Sequence, residues 1–440
     1  MSTLIRHLAL ASLLMSAACR PSASREAGLG AEPAAVPSAA LAANTLLGPG
    51  AIPATAVTQP DIGGVPLPWR LEMPWVGQAE PPAGWGAVSG GAGTPDPGPS
   101  PAAGVAAQVE APAVGGAGSA AGGSCPGIVG RQGAELVLAG QPLRFFGVNA
   151  TYLTEEDFPE DLVPGILEKL QQRGVSVVRV WFQEGQNPER LARLLDAGRG
   201  LGLRFIVTLG DNVHKGVDWF FSEEDEERYR PHLEGTVGRF KDRTEILAWE
   251  PINEPNCGEG RFDEACVKTI RDWVVGMARS IKGIDACHLV SSGMIGAGNF
   301  DLDQESYRRL HKKDEIDLIS VHRGIETDAV LERELSADIG KPVFYGEIYD
   351  IANDDSCQPL RGGQGPGGRA GRVAGDLASA WEDGVAGYLL WDLNLGRLRK
   401  ANGDDGYYCS KFGYPFEDPL WERLAADNLV PAPSGGPTAR

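Results

Sequence analysis

From Cys125 onward the chain alternates short apolar runs of five or six residues with stretches of helical spacing, and this rhythm constrains the fold more than any other feature. Apolar runs at 143–148, 177–181, 204–209, 245–251, 288–292, 317–321, 342–345 and 385–391 read as strands. Helical stretches at 163–172, 188–199, 229–240, 264–282, 304–311, 329–339, 371–382 and 420–428 follow them in turn. The first strand is the second arm of a hairpin whose other arm is 135–138, joined through Ala139-Gly140-Gln141-Pro142. Eight such units predict an α/β chain folded as a (β/α)8 TIM barrel, whose working residues cluster at the C-terminal ends of the strands. A doubly wound open sheet is the runner-up, but Phe146-Gly147-Val148-Asn149 lacks the glycine fingerprint of a dinucleotide site.

The first quarter of the chain reads differently. Residues 20–124 carry 16 of the 32 prolines and only ten charged side chains, so they are expected to be a disordered Ala/Gly/Pro linker. Within it Trp69, Trp75 and Trp85 form an island that could bind sugar or dock. Residues 1–19 have a basic residue, an apolar run and Ser16-Ala17-Ala18-Cys19, the pattern of a signal peptide. The segment resembles a bacterial lipoprotein signal, which makes Cys19 the expected site of lipidation and the mature protein exported, either surface-anchored or secreted. The expected organisation is therefore signal peptide 1–19, linker 20–124, catalytic barrel 125–430 and flexible tail 431–440.

Removing Cys19 from the seven cysteines leaves six, enough for three disulfides in an oxidising compartment, with 15 possible pairings. Cys257 with Cys266 is the expected local pair. No CxxC spacing suggests zinc, and His214 has no partner at metal spacing, so neither a metal nor a cofactor is expected. A net charge of −19 argues against nucleic acid as a partner. A monomer is expected, reaching a membrane only through the lipid on Cys19.

The residues at or near the strand ends are Asn149, Arg179, Asp211 with Asn212, Asn253 with Glu254, His322, Glu347 and Trp391. Two carboxylic acids, several amides and a broad indole suit a sugar: the acids for proton transfer and nucleophilic attack, the amides for hydroxyls, the indole for the apolar face of a pyranose. Arg179 also has a plainer reading as the structural partner of a buried Glu250.

The Arg179 strand, Trp249-Glu250-Pro251-Ile252-Asn253-Glu254-Pro255, His322, Glu347 and Trp391 resemble glycoside hydrolase family 5, within the clan of barrel glycosidases. The stretches Val178-Arg179-Val180-Trp181 and Asp218-Trp219-Phe220-Phe221 are most similar to its endo-β-mannanases. The resemblance implies a retaining endo-acting enzyme on a β-1,4-linked polysaccharide, mannan or glucomannan first. A cellulase or other β-glucanase is the alternative, as is an inactive carbohydrate-binding barrel. It implies Glu254 as acid/base and Glu347 as nucleophile. Arg179 and Asn253 would then position the nucleophile and the substrate 2-hydroxyl, His322 would support the sugar or the acid, and Trp391 would floor the cleavage subsite. One departure is visible: the family's His-x-Tyr is here His322-Arg323-Gly324, with Tyr349 on the next loop as a substitute.

Overall fold

The computed structural model describes residues 125–211, 217–256, 264–297, 303–354 and 358–430. The expected signal peptide with Cys19, the linker with its tryptophans, the tail, Asn212, Cys257 and Cys357 lie outside the described residues.

Eight parallel strands close into a barrel: β1 (Phe145–Asn149), β2 (Val177–Trp181), β3 (Arg204–Thr208), β4 (Ile246–Glu250), β5 (Leu289–Val290), β6 (Ile319–Gly324), β7 (Val343–Tyr349) and β8 (Gly387–Leu390). Each pairs with its sequence neighbour, and β8 returns to β1. The seam between β5 and β6 is the weak point, because β5 is only two residues long. A parallel bridge between Ser291 and Leu318 closes it. Asp317 supplements the ladder there: its carboxylate accepts from Val290 N–H at 3.0 Å and its own N–H donates to Val290 at 2.9 Å. Side-chain pairing at this seam is why the strand is shorter than its apolar run predicts.

Helices α1 (Val163–Gln172), α2 (Pro188–Arg199), α3 (Arg230–Phe240), α4 (Glu264–Ile284), α5 (Gln304–His311), α6 (Val330–Ile339), α7 (Pro366–Glu382) and α8 (Pro419–Ala426) form the outer layer. The starts of α2, α5 and α8 are fixed by Asn187, Asp303 and Asp418, whose side chains accept backbone N–H groups of the first turn. The expected hairpin is present with one difference. Glu135–Leu138 pairs with Gln141–Leu143 and also with Gly130–Gln132, giving a three-stranded antiparallel sheet, and the chain breaks pairing at Arg144 before β1 begins.

That small sheet plugs the barrel floor. Val129 and Leu136 join Phe145, Val177, Ile206, Ala248, Leu289, Leu318, Phe344 and Leu389 in one buried cluster, drawing a residue from every barrel strand or its edge. Since side chains alternate faces along a strand, the next inward positions on the same strands are two residues on. Those positions are Arg179, Thr208, Glu250, Ser291 and Ser320, with Asn149 and His322 four on from Phe145 and Leu318. The barrel is therefore apolar below and polar above, and one period of two residues sets the boundary.

A disulfide joins Cys125 to Cys287 across 162 residues of sequence and ties the floor to the approach of β5. Cys266 and Cys409 are disulfide-bonded as well. The expected pairing of Cys257 with Cys266 falls on a residue outside the described set. Because a crosslink over so long a loop restricts the unfolded chain strongly, replacing both Cys125 and Cys287 by alanine should lower stability by about 2–5 kcal/mol. Chemical denaturation of the full chain checks this, and an unchanged midpoint would show that the floor sheet is held by its other contacts.

Candidate active site

The guanidinium of Arg179 sits at the centre of the polar layer, fully buried. Its Nε and Nη2 both donate to Glu250 Oε1, at 2.9 and 2.5 Å. Nη1 donates to Asn149 Oδ1 at 3.0 Å and to Glu347 Oε1 at 2.7 Å. Nη2 also donates to Asn253 Oδ1 at 2.7 Å. Every N–H of the fork is thus engaged, as a buried cation requires. Arg179 therefore contacts Glu250, the partner of its plain reading, on one edge and Glu347 on the other.

Glu250 is the fixed counter-charge. Burial alone would push its proton affinity up, but Arg179, His322 and a 2.7 Å bond from Ser291 hold it below the usual carboxylate range. Thr208 adds a further bond to Oε1 at 2.8 Å. Asn149, the end of β1, spends its amide N–H groups on the carbonyls of Gly346 and Leu390, at 2.9 and 3.1 Å. Asn253 is braced from the other side, its Nδ2 donating to Asp211 Oδ1 at 3.1 Å.

Glu347 faces the barrel because β7 carries an irregularity. Tyr345 pairs with Val321, yet Glu347 pairs with the very next residue, His322. One extra residue is accommodated at Gly346, so the alternation that puts Phe344 inward and Tyr345 outward is reset and Glu347 points inward. Gly346 is needed there: a Cβ would stand 2.9 Å from both His322 Nε2 and Ser320 Oγ.

Glu254 is delivered differently. After β4 ends, Pro251–Asn253 continue and Glu254 takes a left-handed backbone, φ +46°, that non-glycine residues seldom adopt. Its N–H donates to Gly293 O at 2.8 Å. Gly293 has φ +67°, and a Cβ on it would collide with Ile252 O at 2.0 Å.

His322 lies between the two acids, with Nδ1 2.7 Å from Glu254 Oε1 and 3.5 Å from Glu347 Oε1. One ligand atom from each of Glu254, His322 and Glu347 lies within 4.8 Å of the others. Burial favours the neutral imidazole, but the two carboxylates outweigh it and raise the proton affinity of His322. Glu347 is raised to about 7, first by burial and then by Glu254, against the pull of His322 and Arg179. The acids are unequal in exposure: the Glu254 side chain is 20% accessible and that of Glu347 5%.

Trp391 is half-buried, its backbone N–H donating to Ile348 O at 2.9 Å, and its ring lies 5.9 Å from that of Trp181. Trp181 shares the face of Arg179 two residues earlier. Sequence reasoning missed it as a site residue, along with Thr208, Ser291 and Ser320. The available signal was a polar or broad side chain two positions beyond an inward apolar residue. Where the family has Tyr after His-x, Gly324 ends β6. Arg323 turns outward, paired with both oxygens of Asp376 at 2.8 and 2.9 Å and set 4.3 Å over the Tyr345 ring. Tyr349 packs its ring on Phe412, 5.5 Å between centroids.

A closed (β/α)8 barrel with a carboxylic acid after strand four and another on strand seven, under 5 Å apart, has the architecture of a barrel glycosidase. Comparison with known proteins points the same way. Residues 232–340, which include Glu254 and His322, match the family described as GH family 5 beta-mannosidase-like. Mannan endo-1,4-beta-mannosidase 1 of Arabidopsis thaliana is 29% identical over 214 residues, 39% of this chain and 51% of the relative. Mannan endo-1,4-beta-mannosidase 3 of the same plant is 25% identical over 45% of this chain and 62% of its own length. The chain thus spans between half and two thirds of these curated relatives. In fold it is similar to the endo-1,4-beta-mannanase of Rhizomucor miehei, with a TM-score of 0.55 and 18% identity over 69% of this chain and 99% of that one. The endo-beta-1,4-mannanase of Thermotoga petrophila gives 0.53 and 19%, over 68% and 79%. The chain is thus similar, over part of its length, to glycoside hydrolase family 5 and to proteins named as endo-mannanases.

Two expectations follow from the geometry. Gly346→Ala should cost most of any activity, because the added methyl displaces His322 or Ser320; steady-state kinetics beside a circular-dichroism spectrum checks that the fold survives. The second concerns pH. A carboxyl raised from 4.5 to about 7 binds more protons folded than unfolded between those values, so its burial costs stability progressively as pH climbs through that window. Glu347→Gln should therefore raise the melting temperature relative to the parent above pH 7, and the advantage should shrink toward pH 4.5. An advantage independent of pH would contradict the raised carboxyl.

Proposed function

We propose that the protein is a retaining endo-β-1,4-glycosidase that cleaves β-mannan or glucomannan, with Glu347 as nucleophile and Glu254 as acid/base. The observation that carries this reading is the spacing of Glu254, His322 and Glu347, whose facing atoms lie within 4.8 Å. At about 5 Å two carboxyls permit direct attack on the anomeric carbon, while inversion needs room for a water between them.

The roles follow from the surroundings. A nucleophile must be aimed and kept from rotating, and Glu347 is locked by the charge-assisted bond from Arg179. An acid/base must first protonate a departing oxygen and later take a proton from water, so it belongs at the accessible edge, where Glu254 stands. In the first half-reaction Glu347 bonds to the anomeric carbon as the glycosidic bond breaks and Glu254 gives its proton to the leaving oxygen. In the second, water attacks that carbon, Glu254 takes the proton, and the carboxylate of Glu347 is released. Trp391 and Trp181 offer indole surface for the sugar ring, and Asn253 a side chain for its 2-hydroxyl. Mannan is favoured over cellulose because the similar proteins are named as mannan-cleaving enzymes. Export is part of the same proposal: a disulfide between Cys125 and Cys287 suits an oxidising compartment, and a lipid on Cys19 would hold the protein at a surface.

The test pairs two variants. Glu347→Ala should abolish turnover and regain it with azide, forming an α-glycosyl azide, because a small anion fills the vacated space and attacks from that face. Glu254→Ala should lose most activity on polysaccharide yet keep its first step on an activated aryl glycoside, whose leaving group needs no proton. Inversion at the anomeric centre by NMR, or a β-glycosyl azide from Glu347→Ala, would overturn the assignment. Equal activity on cellulose or xylan would overturn the substrate.

A further inference from the structure

Among the described residues four other than glycine have a left-handed backbone: Ala139, Phe221, Glu254 and Asn428. Ala139 lies in the tight turn before Gly140, and Asn428 follows α8 at a position where asparagine tolerates this conformation. Glu254 is the acid described above. Phe221 remains, with φ +64° and 46% of its surface exposed. A glycine would satisfy the backbone without strain, so a bulky aromatic there is held for its side chain.

The segment around it divides its aromatic residues between core and surface. Trp219 and Phe220 are buried and pack on Trp273, with centroids 5.6 and 5.1 Å away. Phe221 turns the other way, on the loop between β3 and α3, which leaves the same barrel face as Glu254 and Glu347. Asp225, fully buried, fixes the turn: one carboxylate oxygen accepts from Phe221 N–H at 3.1 Å, from Trp273 Nε1 at 2.9 Å and from Arg230 Nη2 at 3.2 Å. The Arg230 side chain is 26% accessible, and its guanidinium lies over the Phe221 ring, 5.6 Å from the centroid. A ring 46% exposed, with a guanidinium over one face, combines apolar surface for the C–H face of a pyranose with N–H donors for its hydroxyls.

We propose that Phe221 and Arg230 form an outlying platform on which a polysaccharide chain rests as it runs to or from the cleavage site. This deepens the proposed glycosidase reading and rests on it. The platform gives the enzyme a preference for polymer over short substrates, since only a long chain can reach both places at once.

The experiment uses the full chain and the variants Phe221→Gly and Phe221→Trp. Adsorption to insoluble mannan, kcat/KM on soluble mannan, kcat/KM on a short aryl β-mannoside and the melting temperature are measured for each. Phe221→Gly should weaken adsorption and lower kcat/KM on polymer by roughly two- to tenfold, the worth of one aromatic contact. It should leave the aryl glycoside rate unchanged and the melting temperature equal or higher, because strain is relieved. Phe221→Trp should keep polymer activity. Undiminished adsorption and polymer activity in Phe221→Gly would overturn the platform alone. A melting temperature that falls together with both activities would also overturn it, by showing that the ring serves the fold. A parent chain that neither adsorbs nor cleaves any β-glycan would overturn the proposed reaction and the platform together.

Discussion

A full positive charge sealed inside a barrel is the constraint on which the rest of this molecule depends. The Arg179 guanidinium is sealed from bulk solvent, so each of its donors must find an acceptor inside the protein. The acceptors come from strands β1, β4 and β7 and from the turn after β4: Asn149, Glu250, Glu347 and Asn253. One side chain therefore fixes the rotational setting of three strands and the turn against β2. A lysine could not do this, since a single ammonium has too few donors and no planar fork to reach so widely. Glu250 neutralises the charge permanently, and Glu347 is left partly compensated, near the point where it can hold or lose a proton.

The same logic explains why the site needs irregular backbone. A regular β7 would turn Glu347 toward the helices and present Gly346 and Ile348 to the cleft. Instead the register shift at Gly346 sends Ile348 into the outer core, beside Tyr345 and Tyr388, and brings Glu347 under Arg179. Asn149 secures the shifted strand by bonding the Gly346 carbonyl, so the residue that orients the arginine also holds the bulge that aims the acid. On the opposite wall Glu254 reaches its place through a strained turn supported by Gly293. Neither acid stands where an undisturbed strand would put it.

Much of this was legible in the chain. The βα rhythm marked all eight strands and eight helices, and the bounds of β2, α1, α2 and α5 coincide with their apolar and helical runs. The strand-end reading also picked out Asn149, Arg179, Asn253, Glu254, His322 and Glu347, which the structure joins by hydrogen bonds and the His322–Glu347 contact. What a linear pattern could not show is parity. Whether Glu347 faces in or out depends on one extra residue in β7, and nothing local distinguishes Gly346 as a bulge from Gly346 as a weak strand residue. Small polar side chains in or just beyond the strands, such as Thr208, Ser291 and Ser320, are likewise silent until the barrel shows that they share a layer. The β5–β6 seam was overdrawn as a strand because Asp317 supplies with its side chain what a longer ladder would supply with its backbone.

The raised proton affinity of Glu347 has a chemical meaning in the reaction proposed. Burial and the neighbouring Glu254 make its negative charge costly, and protonation is one way to remove that charge. Bonding to an electron-poor anomeric carbon is another, because an ester is neutral. An environment that makes a carboxylate seek a proton near pH 7 therefore also favours the covalent glycosyl intermediate over the free anion. Without a brake, the group would rest protonated and unreactive. Arg179 and His322 supply the brake, each stabilising the anion and pulling the affinity down. They also limit the stability of the ester, since the released carboxylate regains their full attraction when water cleaves it. A nucleophile that must both attack and leave is best held between these two pressures, and the barrel sets them with separate parts: apolar walls for one, a buried guanidinium and an imidazole for the other.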